Sequence, residues 1–179
     1  MRIVYYERIT NTNQLSDILN LLTLCDKEFI PPLSHRDSTI QNNLKNNKKH
    51  EVIPTQYFSH IKDQSAFVIE DNKHVVGFMS FKKNYICEEI TASSFPNIYI
   101  TTIIVHPDYR NKGITNSFYE KMISEFKDHN VFTRTWSTND SHIHILLSLK
   151  FYEYCRKKDD RGYGIDTVYY HHASTASNK

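Results

Sequence analysis

Glycine is scarce in this 179-residue chain, which holds only 4, at positions 77, 113, 162 and 164. The scarcity excludes whole classes of phosphate loop. A Walker-type loop needs two glycines five apart followed by Lys and Ser or Thr, and no pair has that spacing. A dinucleotide fingerprint needs a third glycine, and Thr167 stands where it would follow Gly162 and Gly164. Collagen-like, Gly/Ser-linker and low-complexity chains are excluded on the same count. Cysteine is also sparse: Cys25, Cys87 and Cys155 are odd in number, far apart and form no C-x-x-C pair, so they read as reduced thiols of an intracellular protein. No apolar run approaches the ~20 residues of a membrane span, and the N-terminus MRIVYYERIT is too polar for a secretory signal. A soluble, cytoplasmic protein is expected. Net charge is nearly absent: 22 Lys+Arg against 20 Asp+Glu leaves +2, too little to argue for duplex nucleic acid or an anionic membrane as the main partner.

What is present suffices for a core. The chain is 39% apolar and 13% aromatic, and at this length it should bury roughly 70% of the surface exposed when unfolded. Neither a metal nor a disulfide is needed to hold it. One domain over 1–172 is expected, followed by a small polar tail at 173–179 that reads as disordered.

Residues 2–8 are β-branched and aromatic and read as a first strand. Leu15, Ile18, Leu19, Leu22 and Cys25 recur at spacings of three and four, which predicts a helix over 14–28, ended by Pro31-Pro32. The segment 33–64 is polar, with Asn and Lys clustered at 42–50. It reads as short helices and loops, either a solvated face or a lid over an acceptor. Residues 66–69 and 75–81, joined by Asp71-Asn72-Lys73, predict a β-hairpin, and Gly77 inside it signals a bulge or tight packing. The run 98–105 has no polar face and predicts a central strand covered on both sides. A helix follows at 114–127, a strand at 131–136, a helix at 140–149, and a closing antiparallel pair at 151–156 and 166–172. Strand, helix and strand from 98 to 136 form a βαβ unit, which requires parallel pairing. The whole is an α/β (α+β) domain: a mixed sheet with helices on both faces.

The most informative segment is Ile103-Ile104-Val105-His106-Pro107-Asp108-Tyr109-Arg110-Asn111-Lys112-Gly113-Ile114-Thr115, between the central strand and its helix. The first turn of a helix offers backbone N–H groups without partners, at the positive end of its dipole. Arg110 and Lys112 add two cations, and Gly113 lets the backbone approach an anion without a Cβ in the way. Alone, this could equally be an ordinary strand-to-helix turn.

The surrounding order adds to it. The segment resembles the GNAT superfamily of acyl-CoA N-acyltransferases, whose hallmark is a strand ending in V-x-P and then R/Q-x-x-G-x-G/A opening a helix. Here Val105-His106-Pro107 is followed by Arg110-Asn111-Lys112-Gly113-Ile114-Thr115, with Thr in the last small position. The family's later pattern, an Asn before a short helix and then a Gly-Phe step, is met by Asn139 and by Lys150-Phe151, with Lys150 where glycine is usual. The resemblance covers 65–151 by element order and 98–151 by motif.

The resemblance implies a mostly antiparallel sheet in which the central strand splays from its parallel neighbour, and acetyl-CoA as acyl donor with an amine as acceptor. The coenzyme's pyrophosphate would lie on the backbone of Arg110, Asn111, Lys112, Gly113, Ile114 and Thr115. Its pantetheine arm would pair with the strand at Ile103, Ile104 and Val105, chiefly through backbone groups of 103 and 105. Asn139 would hold it from the other side, or simply cap the helix at 140. N–H groups near Ile103 would stabilise the oxyanion.

The family's usual Tyr acid would fall at Leu146, and 97–105 contains no carboxylate. Tyr152 and Tyr154 are therefore the candidates for an assisting acid, with core or rim aromatics as the alternative. No metal site is expected: His142 and His144 point about 200° apart on a helix, and His171 and His172 face opposite sides of a strand. His35-Arg36-Asp37 and the turn 159–164 are either surface loops or borders of an acceptor pocket. The function expected is acetyl transfer from acetyl-CoA to a primary amine of a small molecule, peptide or protein. The alternatives are a non-catalytic acyl-CoA-binding module, and an acetyltransferase with an RNA-borne acceptor favoured only by the Lys-Asn stretch at 45–50. No membrane partner is expected, nucleic acid is disfavoured, and a homodimer is left open.

Overall fold

A computed structural model describes residues 1–46 and 52–175. Strands β1 (Ile3–Tyr6), β2 (Ser65–Asp71), β3 (His74–Lys83), β4 (Asn97–Val105), β5 (Asn130–Trp136), β6 (Tyr152–Lys157) and β7 (Thr167–His172) form one sheet in the order β1-β2-β3-β4-β5-β7-β6. Every pairing is antiparallel except β4–β5. Helices α1 (Thr12–Leu24) and α2 (Thr55–Ile61) lie on one face, and α3 (Ile114–Glu125) and α4 (Asp140–Ser148) on the other.

The hairpin β2–β3 turns on Asn72 and Lys73, both at positive φ (50° and 67°), the conformation a two-residue turn between twisted strands requires. Gly77 satisfies both sequence readings. The register between β2 and β3 shifts beside it, and a Cβ there would meet Ile69 Cγ2 at 3.1 Å, the Ile104 carbonyl at 3.2 Å and Phe118 Cε2 at 3.3 Å. The missing side chain lets α3 press directly onto the sheet.

Two helix limits differ from the sequence expectation. Helix α1 begins two residues earlier, because Asn11 Oδ1 accepts from the N–H groups of Asn13 (2.9 Å) and Gln14 (3.2 Å). It ends at Leu24, well before Pro31. Asp26 accepts from both the N–H (2.6 Å) and the hydroxyl (2.9 Å) of Ser34, which folds the chain back on itself. Of the tail at 173–179, residues 173–175 follow the sheet: Ser174 N–H donates to Asn130 Oδ1 (3.2 Å) and Thr175 N–H to the Lys127 carbonyl (3.0 Å), while 176–179 lie outside the described residues.

Strand β4 is covered on both sides, and its side-chain alternation shifts by one residue midway. Ile98 and Ile100 face α3 and α4, as do Ile103 and Val105, whereas Tyr99, Thr102 and Ile104 face the other way. A bulge accounts for the change of parity: Thr102 opposes Ser80 and Ile100 opposes Phe81, leaving Thr101 as the extra residue. Both threonines turn toward α2, where Thr102 Oγ1 lies 2.8 Å from the Tyr57 hydroxyl and Thr101 bonds Gln64. The same bulge redirects the strand where β5 leaves it. β4 and β5 pair from Asn97↔Asn130 to Ile100↔Thr133 and no further.

Candidate active site

Beyond Ile100 and Thr133 the two strands diverge and enclose a cavity of about 610 Å³. Thr133 stands at its narrow end. The free edge of β4 forms one wall. His106 N–H donates to the Val76 carbonyl at 2.8 Å, so the backbone of 106 faces β3. Alternation in an antiparallel ladder gives the same direction to Ile104 and Thr102, and the opposite one to Ile103 and Val105. Of the three strand residues singled out by sequence, 103 and 105 turn their peptide groups into the gap. Ile104 turns its own to β3 and buries its side chain against α1.

The opposite wall is the start of α4. Asn139 sits at the N-cap position but makes no side-chain cap; its Nδ2 instead donates to Thr135 Oγ1 of β5 (3.0 Å), and the residue lines the cavity.

At the wide end lies the segment 110–115. Gly113 is the N-cap of α3 at φ +73°, a left-handed conformation that a side chain disfavours, and a Cβ there would meet nothing within 4 Å. Among the described residues, the backbone N–H groups of 111–116 have no hydrogen-bond partner. They precede the first helical bond, Ser117 N–H to the Gly113 carbonyl (3.0 Å). The cradle thus combines unpaired donors, a helix dipole and open space above Gly113, and it fits an anion such as a pyrophosphate. Lys112 points back, its Nζ donating to the Asp108 carbonyl (3.0 Å) over the Tyr109 ring. Arg110 donates from Nε to the Val105 carbonyl (3.1 Å) and from Nη2 to both Glu28 oxygens (3.0 and 2.9 Å). Glu28, just after α1, is a cavity-lining residue that the sequence reading did not single out.

Tyr152 and Tyr154 are not brought to this site. They lie on β6, the outer edge of the sheet, are about half exposed, and are not among the cavity's lining residues. Tyr152 instead bonds His171. Their nearness to α4 in sequence misled, because β7 inserts between β5 and β6. On the α3–α4 side the cavity is lined by His142, whose Nε2 lies 2.7 Å from the buried Tyr119 hydroxyl. Burial lowers the His142 pKa to about 4 and raises that of Tyr119, so both are neutral at pH 7.

The far end of the cavity is basic and aromatic. Arg36, Arg134 and Arg161 line it with Phe29 and Trp136. His35 and Asp37, the neighbours of Arg36 in the cluster read from sequence, are not lining residues. The turn 159–164 contributes Arg161, with Gly162 and Gly164 at positive φ. Among the described residues, no group of three or more His, Cys, Asp or Glu side chains could hold a metal ion, and no helix is long and apolar enough to cross a membrane.

The fold is similar to that of an N-acetyltransferase from Staphylococcus aureus Mu50 (16% identical, TM-score 0.64, covering 98% of this chain and 100% of that one). It is also similar to yncA of Salmonella typhimurium, whose structure holds acetyl-CoA (14% identical, TM-score 0.64, 99% and 96% covered). The ribosomal-protein-S18-alanine N-acetyltransferase of Escherichia coli is a third (13% identical, TM-score 0.59, 95% and 92% covered). At these identities the likeness is one of fold. No curated protein matches the sequence. The model of the acetyltransferase (GNAT) family matches residues 28–153, from Glu28 beside the cradle to the start of β6, and the chain belongs to that family.

Proposed function

We propose that the protein transfers an acetyl group from acetyl-CoA to the primary amine of a small acceptor, by direct attack with both substrates bound. The observation that carries this is the gap between β4 and β5, with an anion cradle at one end and a separate, differently lined chamber at the other. In this reading the N–H groups of 111–116 and Arg110 hold the pyrophosphate. The outward peptide groups of Ile103 and Val105 bind the amide-rich arm as an added strand. Asn139 borders it from the α4 side.

The acceptor amine must lose a proton, since an alkylammonium has a pKa of about 10.4. No carboxylate stands on β4, so the proton leaves through water, with the hydroxyls of Thr101 and Thr102 along the path. N–H groups at the free β4 edge stabilise the carbonyl oxygen as it gains charge. The departing sulfur is met by His142 rather than by Tyr152 or Tyr154. If the Tyr119 hydroxyl donates to Nε2, the neutral imidazole keeps its proton on Nδ1 and can donate a hydrogen bond.

Three free cysteines suit a cytoplasmic location. An RNA-borne acceptor has less support: its motive was the basic stretch at 45–50, of which 47–50 lie outside the described residues. The test against a non-catalytic binding module is thiol release from acetyl-CoA with a panel of primary amines. Amine-dependent release, lost in Arg110→Ala/Gly113→Val, is expected. Coenzyme binding without release from any amine would leave only the module.

A further inference from the structure

Acetyl transfer to a simple amine does not call for cations at the acceptor end of the cleft, yet three guanidinium groups converge there. They come from separate parts of the chain: Arg36 from the loop after α1, Arg134 from β5 and Arg161 from the β6–β7 connection. Arg36 and Arg161 are only 7% and 6% exposed. Arg36 donates from Nε (3.0 Å) and Nη2 (2.8 Å) to the Pro31 carbonyl and from Nη2 to the Ile30 carbonyl (3.2 Å). Arg161 Nη1 reaches the same Ile30 carbonyl at 2.6 Å, so two positive groups share one neutral acceptor. Arg134 donates to the Gln41 carbonyl (2.7 Å), Asn42 Oδ1 (3.0 Å) and the Tyr169 hydroxyl (3.3 Å).

Every one of these partners is uncharged. Among the described residues, no carboxylate lies within ion-pair distance of the three. Asp26 and Asp160, the acids close enough to influence them, make no direct contact with them: Asp26 is held by Ser34, and Asp160 by Asn43 N–H (3.0 Å) and by Thr167 Oγ1 (2.6 Å), the neutral hydroxyl that itself accepts from Arg161 Nε (2.9 Å). Burial lowers the Arg36 pKa to about 10, and burial together with repulsion from Arg36 and Arg134 lowers that of Arg161 to about 9. All three remain charged at neutral pH. The rings of Phe29 and Trp136, 5.8 Å apart, stand against this charge, with Arg36 5.5 Å over the first and Arg161 5.6 Å over the second.

A cluster of like charges at a cavity wall, desolvated and without a counter-ion, is an electrostatic cost that a bound anion offsets. Guanidinium groups present planar, paired donors that match a carboxylate. We propose that the acceptor is a small amine that also carries a carboxylate, which binds among Arg36, Arg134 and Arg161. Its amine then points back along the cleft toward Thr101 and the splayed strands. Phe29 and Trp136 flank the carbon chain between the two groups. The near-complete burial of two of the arginines makes this an end wall, suited to the terminus of a small molecule.

The inference rests on the acetyltransferase reading, and two measurements separate them. Calorimetry of glutarate against its diamide, glutaramide, in the absence of coenzyme, reads the anion site alone. Binding of glutarate at least about tenfold tighter than the diamide is expected, as for charge-assisted over neutral hydrogen bonds. The second measurement is thiol release from acetyl-CoA with matched amines ending in methyl, carboxamide, carboxylate or phosphonate. The carboxylate amine should exceed the carboxamide in kcat/KM by about tenfold or more. Arg36→Gln and Arg161→Gln should erase that preference by raising KM for the carboxylate amine. Should either variant fail to fold, the wild-type comparison of carboxylate with carboxamide decides alone. Equal turnover of all four amines, equal binding of glutarate and its diamide, or preference for the phosphonate would each overturn the proposal. Absence of coenzyme binding would instead overturn the acetyltransferase reading.

Discussion

The ion pair between Arg110 and Glu28 yields a prediction in which two partners of one bond act in opposite directions. In the free protein the Arg110 guanidinium holds the Glu28 carboxylate with two contacts of 3.0 and 2.9 Å, at 39% and 49% side-chain exposure. A pyrophosphate in the cradle must take Arg110 from Glu28. Pairs exposed to this degree are worth about 0.2–1 kcal/mol, so Glu28→Gln should tighten coenzyme A binding by roughly 1.4- to 5-fold. Arg110→Ala removes a charge-assisted bond to phosphate worth about 1.5–3 kcal/mol and should weaken binding roughly 10- to 150-fold. The Arg110→Ala/Glu28→Gln double variant should gain nothing from the second change, because the competition is gone. Isothermal titration of coenzyme A at fixed ionic strength measures all four affinities. If Glu28→Gln weakened binding, or if Arg110→Ala left it unchanged, the assignment of Arg110 to the coenzyme would be refuted.

Other outcomes follow from single contacts. His142→Phe should lower kcat about 10- to 150-fold, with little change in KM for acetyl-CoA, if its hydrogen bond meets the developing thiolate; steady-state kinetics would expose an unaltered kcat. Lys150→Gly should stabilise the fold by about 1 kcal/mol, since Lys150 occupies a left-handed conformation (φ 63°) better suited to glycine. Thermal unfolding should then rise by about 2–4 °C, and a fall would contradict the cap assignment. Gly77→Ala should destabilise by about 1–3 kcal/mol, because its Cβ would lie 3.1–3.3 Å from three groups; an unchanged denaturant midpoint would mean that α3 shifts freely. Acid should also destabilise the fold through His142. The unfolded chain takes up this proton near 6.5 and the folded chain only near 4, so stability is intact above pH 6.5 and lost as pH falls through 4, by up to about 3 kcal/mol. Denaturation at several pH values, with His142→Gln as the control, checks the size of that loss.

The order of elements was legible in the sequence because its periodicities are clean; each strand and helix lies within a few residues of its expected place except α2, which falls in the segment 33–64 read only as short helices and loops. The coenzyme cradle was legible for a different reason: Val105-His106-Pro107 and Arg110-x-x-Gly113 act locally, through a strand end and the helix it feeds. The family glycine replaced by Lys150 also has a local explanation. Lys150 N–H donates to the Leu147 carbonyl (3.1 Å) and Phe151 N–H to the Leu146 carbonyl (3.0 Å), the paired bonds that close a helix through a left-handed residue. What was not legible depends on strand order and register. In a run where every residue is apolar or β-branched, nothing marks Thr101 as the bulged one. Tyr152 and Tyr154 follow α4 in sequence but lie at the far edge, because β7 takes the place beside β5. One signal could have been read: Arg134, a charge inside a strand otherwise suited to the core, marks a polar site within the sheet.

A crystal structure of the protein with coenzyme A bound will show whether the coenzyme occupies the gap between β4 and β5. The pyrophosphate is expected on the N–H groups of 111–116, with Arg110 turned away from Glu28. The pantetheine arm is expected to pair with the peptide groups of Ile103 and Val105. Coenzyme bound outside the gap, or an arm that bypasses the β4 edge while Arg110 stays on Glu28, would contradict this placement.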